Sequence, residues 1–561
     1  VGLWNGVPSI GDHGEIALDD VWLEHAPSPL SIKTALALPS FRRQNVTLRA
    51  RIQNLAGQQG PAVLQFDFVR DGATTSFKAD VVLDGSAEQL LSFTAAWANP
   101  VLWNVEYPRV YDMTATLTPA GGVVADSLGP QTFGFRECWV EDGEIRINGQ
   151  KARLRMWTSP GLSRLRYYYG HPEAIDQHVA HIREMNYDSV RFDPIRKTSQ
   201  VAWTDYLEAC NRQGLYNLFP MPPYEDEDLA VYSREVERYL ERYGNHPTII
   251  MWYTDFNTCS YPWNQDPAKL NDTDYDPLNK RQPRRRAQTA EKVMRALDGS
   301  RELFQHAGGN SGKIFTSMNY QSFGTPLQEQ EDWPRQWSEK HTQPLMVVES
   351  AFPYPMQFWH FDDKSLGSLA TEHAARYFGD AVYERETLPI PNAHNWMITP
   401  YANWAPNMQA LYAMLYSHVP KAWRAYDMSA LGDFPGGRDM HHVARTYDDH
   451  TVVYKIDDAV KTPGLKPERK TGWSETQRHL LTDYSQPDYL HDVVRDVFAP
   501  LLVFLGGEPD DFSNKDHAYY AGETFRKSAV VVNDHVEAKT LNFRWELRVD
   551  GEAPPVSSGE F

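Results

Sequence analysis

The stretch Leu215–Tyr253, LYNLFPMPPYEDEDLAVYSREVERYLERYGNHPTIIMWY, decides the reading of the fold. Leu215–Phe219 is an apolar run of strand length, Asp226–Tyr243 reads as a helix closed by Gly244, and Thr248–Tyr253 is a second apolar run. The same alternation continues in both directions. Upstream, Ala152–Met156 and Ser189–Phe192 read as strands. The helix Pro172–Met185 between them places Ile175, Val179 and Ile182 on one face. Val201–Gln213 carries the stripe Trp203, Tyr206, Leu207 and Cys210 and stops at Gly214. Downstream come a helix Arg286–Leu297 ended by Asp298-Gly299, then strands Glu302–His306, Ile314–Met318 and Pro344–Val348. Helices Leu366–Tyr377 and Pro406–His418 and a last strand, Ala422–Asp427, complete the series. Eight strands with helices mostly between them predict a (β/α)8 barrel over residues 141–435.

The flanks have a different texture. The runs Glu15–Leu23, Asn45–Ile52, Ala62–Val69, Ser76–Leu83 and Arg109–Thr118, punctuated by Gly, Pro, Asn and Asp, predict a β-sandwich over residues 25–140. Residues 1–24 are too short for a domain and read as the end of one. Residues 436–495 are polar and read as a linker or extension. Strand texture returns in Ala499–Phe504, Lys527–Asn533 and Leu541–Val549, so residues 496–561 read as the start of a second β domain. The expected architecture is therefore multidomain: a β-sandwich, a TIM barrel and a C-terminal β-sandwich segment. At roughly 100–200 residues per domain, the 561 residues accommodate this.

A formal net charge of −19 argues against a nucleic-acid binder, which needs a basic face. No apolar run reaches the roughly 18 residues of a membrane helix, and the start at Val1 shows no basic and apolar leader. Cys138, Cys210 and Cys259 are too few and too scattered for a disulfide framework or a zinc site. His441-His442 lack a third ligand at an informative spacing, so neither a metal nor a cofactor is expected. The chain is rich in aromatics, with 17 Trp, 29 Tyr and 24 Phe. Rings of this kind stack on the C–H faces of sugars, or equally fill large cores and domain contacts.

A barrel carries its chemistry at the C-terminal ends of its strands. The polar residues there are Arg191 and Asp193 after the second strand, Glu225–Glu227 after the third, and Asp255 and Asn257 after the fourth. Asn319 and Tyr320 follow the sixth, Glu349 follows the seventh, and Asp427 ends the eighth with Trp423 inside it. Glu349, directly after Leu345-Met346-Val347-Val348, is the leading candidate for a nucleophile or an electrostatic stabiliser. It could equally be a structural Glu paired with a barrel Arg. Asp255 and Asn257 point to one side if the strand stays extended, with Trp252 on the other; Asp255 could also cap its loop. Arg191 and Asp193 could bind substrate or pair with each other. Glu225–Glu227 suit a solvated helix N-terminus, and Arg284–Arg286 reads as solvated surface.

Several segments, in order, resemble a family 2 glycoside hydrolase. They are Trp103-Asn104 through Tyr107-Pro108 to Tyr111, Phe133-Gly134-Phe135-Arg136-Glu137, Ile147-Asn148-Gly149-Gln150-Lys151, Ser189-Val190-Arg191, Asn245-His246-Pro247-Thr248-Ile249-Ile250-Met251-Trp252, and Pro344 to Glu349. Gly2-Leu3-Trp4 resembles the end of that family's N-terminal jelly roll. The resemblance implies an immunoglobulin-like sandwich before the barrel and Glu349 as nucleophile. It also implies a β-linked oligosaccharide or polysaccharide as substrate, of the β-galactosidase or β-glucuronidase kind, and favours a periplasmic or secreted location. No nucleic-acid or membrane partner is expected, and a homo-oligomer is left open.

One departure falls at the acid/base. Where the family has Trp-Ser-x-x-Asn-Glu, this chain has Trp252-Tyr253-Thr254-Asp255-Phe256-Asn257. Asn257 stands at the acid/base position, and an amide does not titrate. Three alternatives follow: Asp255 supplies the proton, another carboxylate such as Asp193 or one of Glu225–Glu227 reaches in, or the barrel only binds glycan. In the first, Arg191, Asp193, Asn257, Asn319, Tyr320 and Trp423 hold the sugar. A lyase using Tyr320 or a His as base is a weaker alternative.

Overall fold

The computed structural model describes residues 28–159, 172–192, 203–253, 281–321, 324–352, 375–380, 406–433, 489–515, 518–524, 526–549 and 554–561. The expected segment 1–24, residues 366–374 of the expected helix Leu366–Tyr377, most of the 436–495 linker, and Cys259, His441 and His442 lie outside them.

Strands β1 (Leu30–Ser40), β2 (Asn45–Asn54) and β5 (Glu88–Ala96) form one antiparallel sheet in the order β1-β2-β5. Strands β3 (Gln59–Arg70), β4 (Ala73–Asp84), β6 (Tyr111–Pro119) and β7 (Asp126–Phe133) form another in the order β4-β3-β6-β7. In β2, Val46, Leu48, Ala50 and Ile52 are buried while the intervening residues are half-buried, the period of a one-sided strand. These side chains meet Phe66, Phe68, Trp97, Tyr111, Phe133 and Phe135 from the facing sheet and its edges in a single core. Strands β1, β5 and β7 lie outside the runs that read as strands in the sequence; β7 is interrupted by Gly129-Pro130 and fully buries only Phe133, whereas β5 packs Leu91, Phe93 and Ala95 on the core.

The barrel strands are β11 (Leu154–Ser159), β12 (Ser189–Phe192), β13 (Tyr216–Pro220), β14 (Ile249–Tyr253), β15 (Glu302–Phe304), β16 (Phe315–Tyr320), β17 (Leu345–Ala351) and β18 (Ala430–Asp433). They form an eight-stranded sheet in the order β15-β14-β13-β12-β11-β18-β17-β16, parallel throughout. The ring is nearly closed: Gly309 and Thr316 exchange backbone hydrogen bonds of 3.0 Å, and Thr316 Oγ1 donates to the Gln305 carbonyl. Helices Pro172–Glu184, Trp203–Gln213, Leu229–Tyr243, Arg281–Leu297 and Pro406–Ala425 lie outside the strands. Two cores result. Met156, Leu218, Met251, Phe304, Met318, Met346 and Val348 fill the barrel, while Val190, Phe192, Phe219, Trp252, Leu303, Val347 and Leu431 pack against the helices. Trp103, Trp252, Trp337 and Trp423 are all fully buried, so much of the aromatic surplus serves packing. Among the described residues no helix is long and apolar enough to cross a membrane.

The expected last strand, Ala422–Asp427, is corrected. Residues 422–425 end the helix Pro406–Ala425, whose Tyr416, Val419 and Trp423 are buried at helical spacing. Pro420 inside it makes the helix read as ending at His418. The eighth strand is Ala430–Asp433, too short to announce itself, and Asp427 lies in the turn before it with φ 69°.

The domains are joined by buried polar contacts. Arg136 is 1% exposed; its Nε donates to the Pro247 carbonyl at 2.7 Å and its Nη1 to the Ser300 carbonyl at 3.0 Å. Asn245 Nδ2 donates to the Ala35 carbonyl at 2.7 Å, and its Oδ1 accepts from the Ala37 N–H at 3.0 Å, clasping β1. A three-stranded sheet, β8 (Cys138–Glu141), β9 (Glu144–Ile147) and β10 (Gln150–Lys151), covers the N-terminal end of the barrel. Its Cys138, Ile145 and Ile147 join the barrel core. The antiparallel pair β19 (Leu501–Gly506) and β20 (Ser528–Asn533) packs on the helix Pro406–Ala425. Asp534 there accepts from Arg424 at 2.9 Å.

Candidate active site

Strand β17 changes its alternation at the point where it matters. Val347 pairs with Ser317 and Leu431, but the next pairs are Glu349 with Met318 and Ser350 with Asp433. Val348 is therefore an extra residue against β16, and Val348 with Glu349 together oppose Gly432 of β18. This is a β-bulge, which re-aims side chains. Val347 faces the helices and Val348 the barrel core. Without a bulge, Glu349 would face the helices. With it, Glu349 turns to the barrel side at the C-terminal end, 5% exposed.

Three side chains meet it there. Arg191, inward-facing on β12 and 1% exposed, places Nη2 2.7 Å from Glu349 Oε1, and its Nε donates to the Val348 carbonyl at 3.2 Å. The Tyr320 hydroxyl donates to Glu349 Oε2. His306, fully buried just beyond β15, places Nε2 3.4 Å from Oε1. Burial alone would raise the carboxyl pKa. The Arg191 guanidinium, with His306 and Tyr320, overrides it and holds Glu349 down to about 2. His306 is lowered to about 4, first by burial and then by Arg191, so its imidazole is neutral near pH 7. The site is thus an ionised carboxylate with both oxygens engaged, at the end of the barrel where the strands release their chemistry.

The structure brings together Glu349, Arg191 and Tyr320 of the expected set. Asp193, Asp255 and Asn257 lie outside the described residues. Asn319 sits between Met318 and Tyr320, which both face the core, so alternation places it on the other face. Its Oδ1 accepts from Gln321 Nε2 at 2.6 Å. The sugar-binding role expected of Trp423 is corrected: it lies on the outer helix, fully buried against Trp333 and Phe352, with Nε1 donating to the Gln330 carbonyl at 2.7 Å. Among Glu225–Glu227, Asp226 pairs with Arg285 and Arg286 at 2.7 and 2.6 Å, and Asp228 caps the helix that follows. Cys138 and Cys210 are buried free thiols, and burial pushes both up to about 12. His306 was missed, although it ends the expected fifth strand, where a search for polar residues at strand ends finds it.

Among the described residues one group has metal-like spacing, Glu144, His341 and Asp427, within 4.8 Å of one another. The Lys151 ammonium already bonds both Glu144 and Asp427, taking the place of a cation. A cavity of about 220 Å³ opens at the same N-terminal end, lined in part by Arg155, Asp188, Asp534 and His535. Its charges pair among themselves: Arg155 with Asp188 at 2.9 Å and with Asp534 at 3.3 Å, and His535 with Glu106 at 2.8 Å.

Residues 29–136 match the family model described as glycosyl hydrolases family 2. A β-galactosidase of Enterobacter cloacae is 27% identical over 183 residues, which is 30% of this chain and 17% of that protein. A β-glucuronidase of Bacteroides uniformis is similar in structure, with a TM-score of 0.43 and 18% identity over 58% of this chain and 41% of its own. So is a family 2 β-galacturonidase of Eisenbergiella tayi bound to galacturonate, with a TM-score of 0.43 and 17% identity over 58% and 57%. The chain spans less than two thirds of the length of each of these proteins. Residues 29–136 thus carry the sandwich of glycosyl hydrolases family 2, and the ordered motifs that run from it into the barrel resemble that family.

Proposed function

We propose that this chain is a hydrolase of β-linked glycans in which Glu349 is the nucleophile of a retaining mechanism. The observation that carries the reading is the bulged strand end at which a carboxylate, ionised at any physiological pH, is turned inward between Arg191 and Tyr320. Such a carboxylate attacks the anomeric carbon as the glycosidic C–O bond breaks, and an acid protonates the departing oxygen. Water then attacks the glycosyl ester, gives up a proton to the same acid/base, and releases the sugar and free Glu349. A lowered pKa suits this role, because a nucleophile must not hold a proton that the leaving oxygen needs.

Asp255 is the proposed acid, with Asp193 and Asn257 as sugar-binding residues; all three rest on the sequence alone. Retention requires carboxyl groups about 5–5.5 Å apart. The names of the relatives favour a galactoside or an alduronic glycoside as substrate. One observation favours a second reading, a non-catalytic glycan-binding barrel: Asn257 stands where the family has its acid/base Glu.

A panel of 4-nitrophenyl β-glycosides, tested with wild type and Glu349→Gln, separates the two. Hydrolysis by wild type that falls more than about tenfold in the folded variant supports the enzyme. Wild type that binds glycan and turns over none supports the binding protein.

A further inference from the structure

We propose that Gly432 is a positioning residue for Glu349, the single position on β18 whose missing side chain makes room for the bulge that aims the carboxylate. The inference rests on Glu349 acting as proposed. Gly432 is the one residue that Val348 and Glu349 jointly oppose: Leu431 pairs with Val347, and Asp433 with Ser350. A Cβ on Gly432 would lie 2.6 Å from the Val348 carbonyl oxygen, 2.7 Å from that of Val347 and 2.8 Å from Thr158 Cγ2.

Two of those neighbours are backbone, on the bulge itself, and cannot swing aside as a side chain can. The Gly432 φ is not in the left-handed region, so space rather than backbone conformation demands glycine here. The Val348 carbonyl also accepts from Arg191 Nε at 3.2 Å. Moving that carbonyl therefore moves both the strand that carries Glu349 and the guanidinium that holds it. On the other side, Ser350 Oγ donates to the Gly432 carbonyl at 2.7 Å, fixing the strand just past the bulge. Gly432 touches neither reacting atom; it acts through the bulge.

Gly432→Ala and Gly432→Ala/Thr158→Ser test the idea by two readouts. The first is kinetic, on whichever 4-nitrophenyl β-glycoside the wild type hydrolyses. A displacement of about 1 Å at the nucleophile is expected to lower kcat about a hundredfold with KM little changed. Thr158→Ser should not restore it, because the obstruction is the pair of carbonyls and not the threonine methyl. The second is a crystal structure of Gly432→Ala, which needs no substrate. There the 3.2 Å contact between Arg191 Nε and Val348 O should be lost and the Glu349 carboxylate displaced.

An unaltered bulge and Arg191–Glu349 pair in that structure overturns the inference. So does rescue by Thr158→Ser, wild-type kcat in the variant, or a chain that simply fails to fold, which would assign Gly432 to stability. If wild type hydrolyses none of the glycosides while Gly432→Ala shows the displaced carboxylate, the aiming role of Gly432 stands and the hydrolytic reading fails.

Discussion

Arg191 holds the Glu349 strand end twice: Nη2 lies 2.7 Å from the Glu349 carboxylate, and Nε donates to the carbonyl of Val348, the residue before it, at 3.2 Å. One guanidinium thus fixes both the backbone bulge and the side chain that the bulge turns inward. Its planar fork suits this as a lysine ammonium does not. The contact is a buried Glu–Arg pair, and it also holds Glu349 in the position that the proposed nucleophile requires; the sequence does not show which way Glu349 points, because the bulge decides that.

Replacing Arg191 with Met leaves a buried carboxylate without its cation. Burial then meets only the His306 and Tyr320 contacts in opposition, and the Glu349 pKa rises from about 2. Breaking such a pair costs about 3–5 kcal/mol. The melting temperature should fall, and the acid limb of kcat/KM should move to higher pH. Arg191→Lys should lie between, since the charge survives but the fork does not. An unmoved acid limb in Arg191→Met would show that Arg191 does not set the ionisation of Glu349.

Acid should weaken the barrel in two stages. His306 and His246 are both buried, and their pKa values are lowered to about 4. Between about pH 6.5 and 4 the unfolded chain takes up protons that the folded chain refuses. Stability therefore falls as pH drops through that window, by up to about 1.4 kcal/mol per pH unit for each histidine. Glu349 contributes in the next window: its stabilisation is complete above its unfolded pKa and is lost as pH falls from about 4.5 to about 2. Melting temperatures from about pH 7 to 4 check the first stage, and the slope should flatten in His246→Gln. A melting temperature that is constant over that range would contradict it.

The missing family acid gives a prediction about leaving groups. If Asp255 protonates the departing oxygen, Asp255→Asn should slow glycosides with poor leaving groups by orders of magnitude and 2,4-dinitrophenyl glycosides far less. Azide should then restore turnover through a glycosyl azide. The measurement is the slope of log rate against leaving-group pKa for wild type and variant. An identical slope would move the acid to another loop carboxylate.

Much of the fold was legible because burial on both faces leaves apolar runs. Ser189–Phe192, Ile249–Tyr253 and Leu345–Val348 stand out for that reason, and Gly214 and Gly244 mark helix ends. The eighth strand was not legible: Ala430–Asp433 offers two apolar residues, while the helix before it hides its last turn behind Pro420. The motifs that carry the family resemblance prove to be largely joints. Arg136 and Asn245 tie the sandwich to the barrel, and a Cβ on Gly134 would meet Pro247 at 2.6 Å. Of the polar residues at strand ends, Arg191, Tyr320 and Glu349 converge inside the barrel. Trp423 reads as a strand residue in the sequence because Pro420 hides the last turn of the helix that carries it. The bulge has no sequence signal except Gly432, and that glycine acquires meaning only once its neighbours are known.

If Glu349 is the nucleophile, it becomes covalently glycosylated during turnover. Incubation with 2,4-dinitrophenyl 2-deoxy-2-fluoro-β-D-galactoside and its glucuronide counterpart, followed by proteolysis and mass spectrometry, reads this. One fluoroglycosyl group per chain is expected on the peptide containing Leu345–Ala351, attached to Glu349, and none in Glu349→Gln. Label on a different carboxylate, or hydrolysis of the parent glycosides with no covalent adduct from either probe, would contradict it.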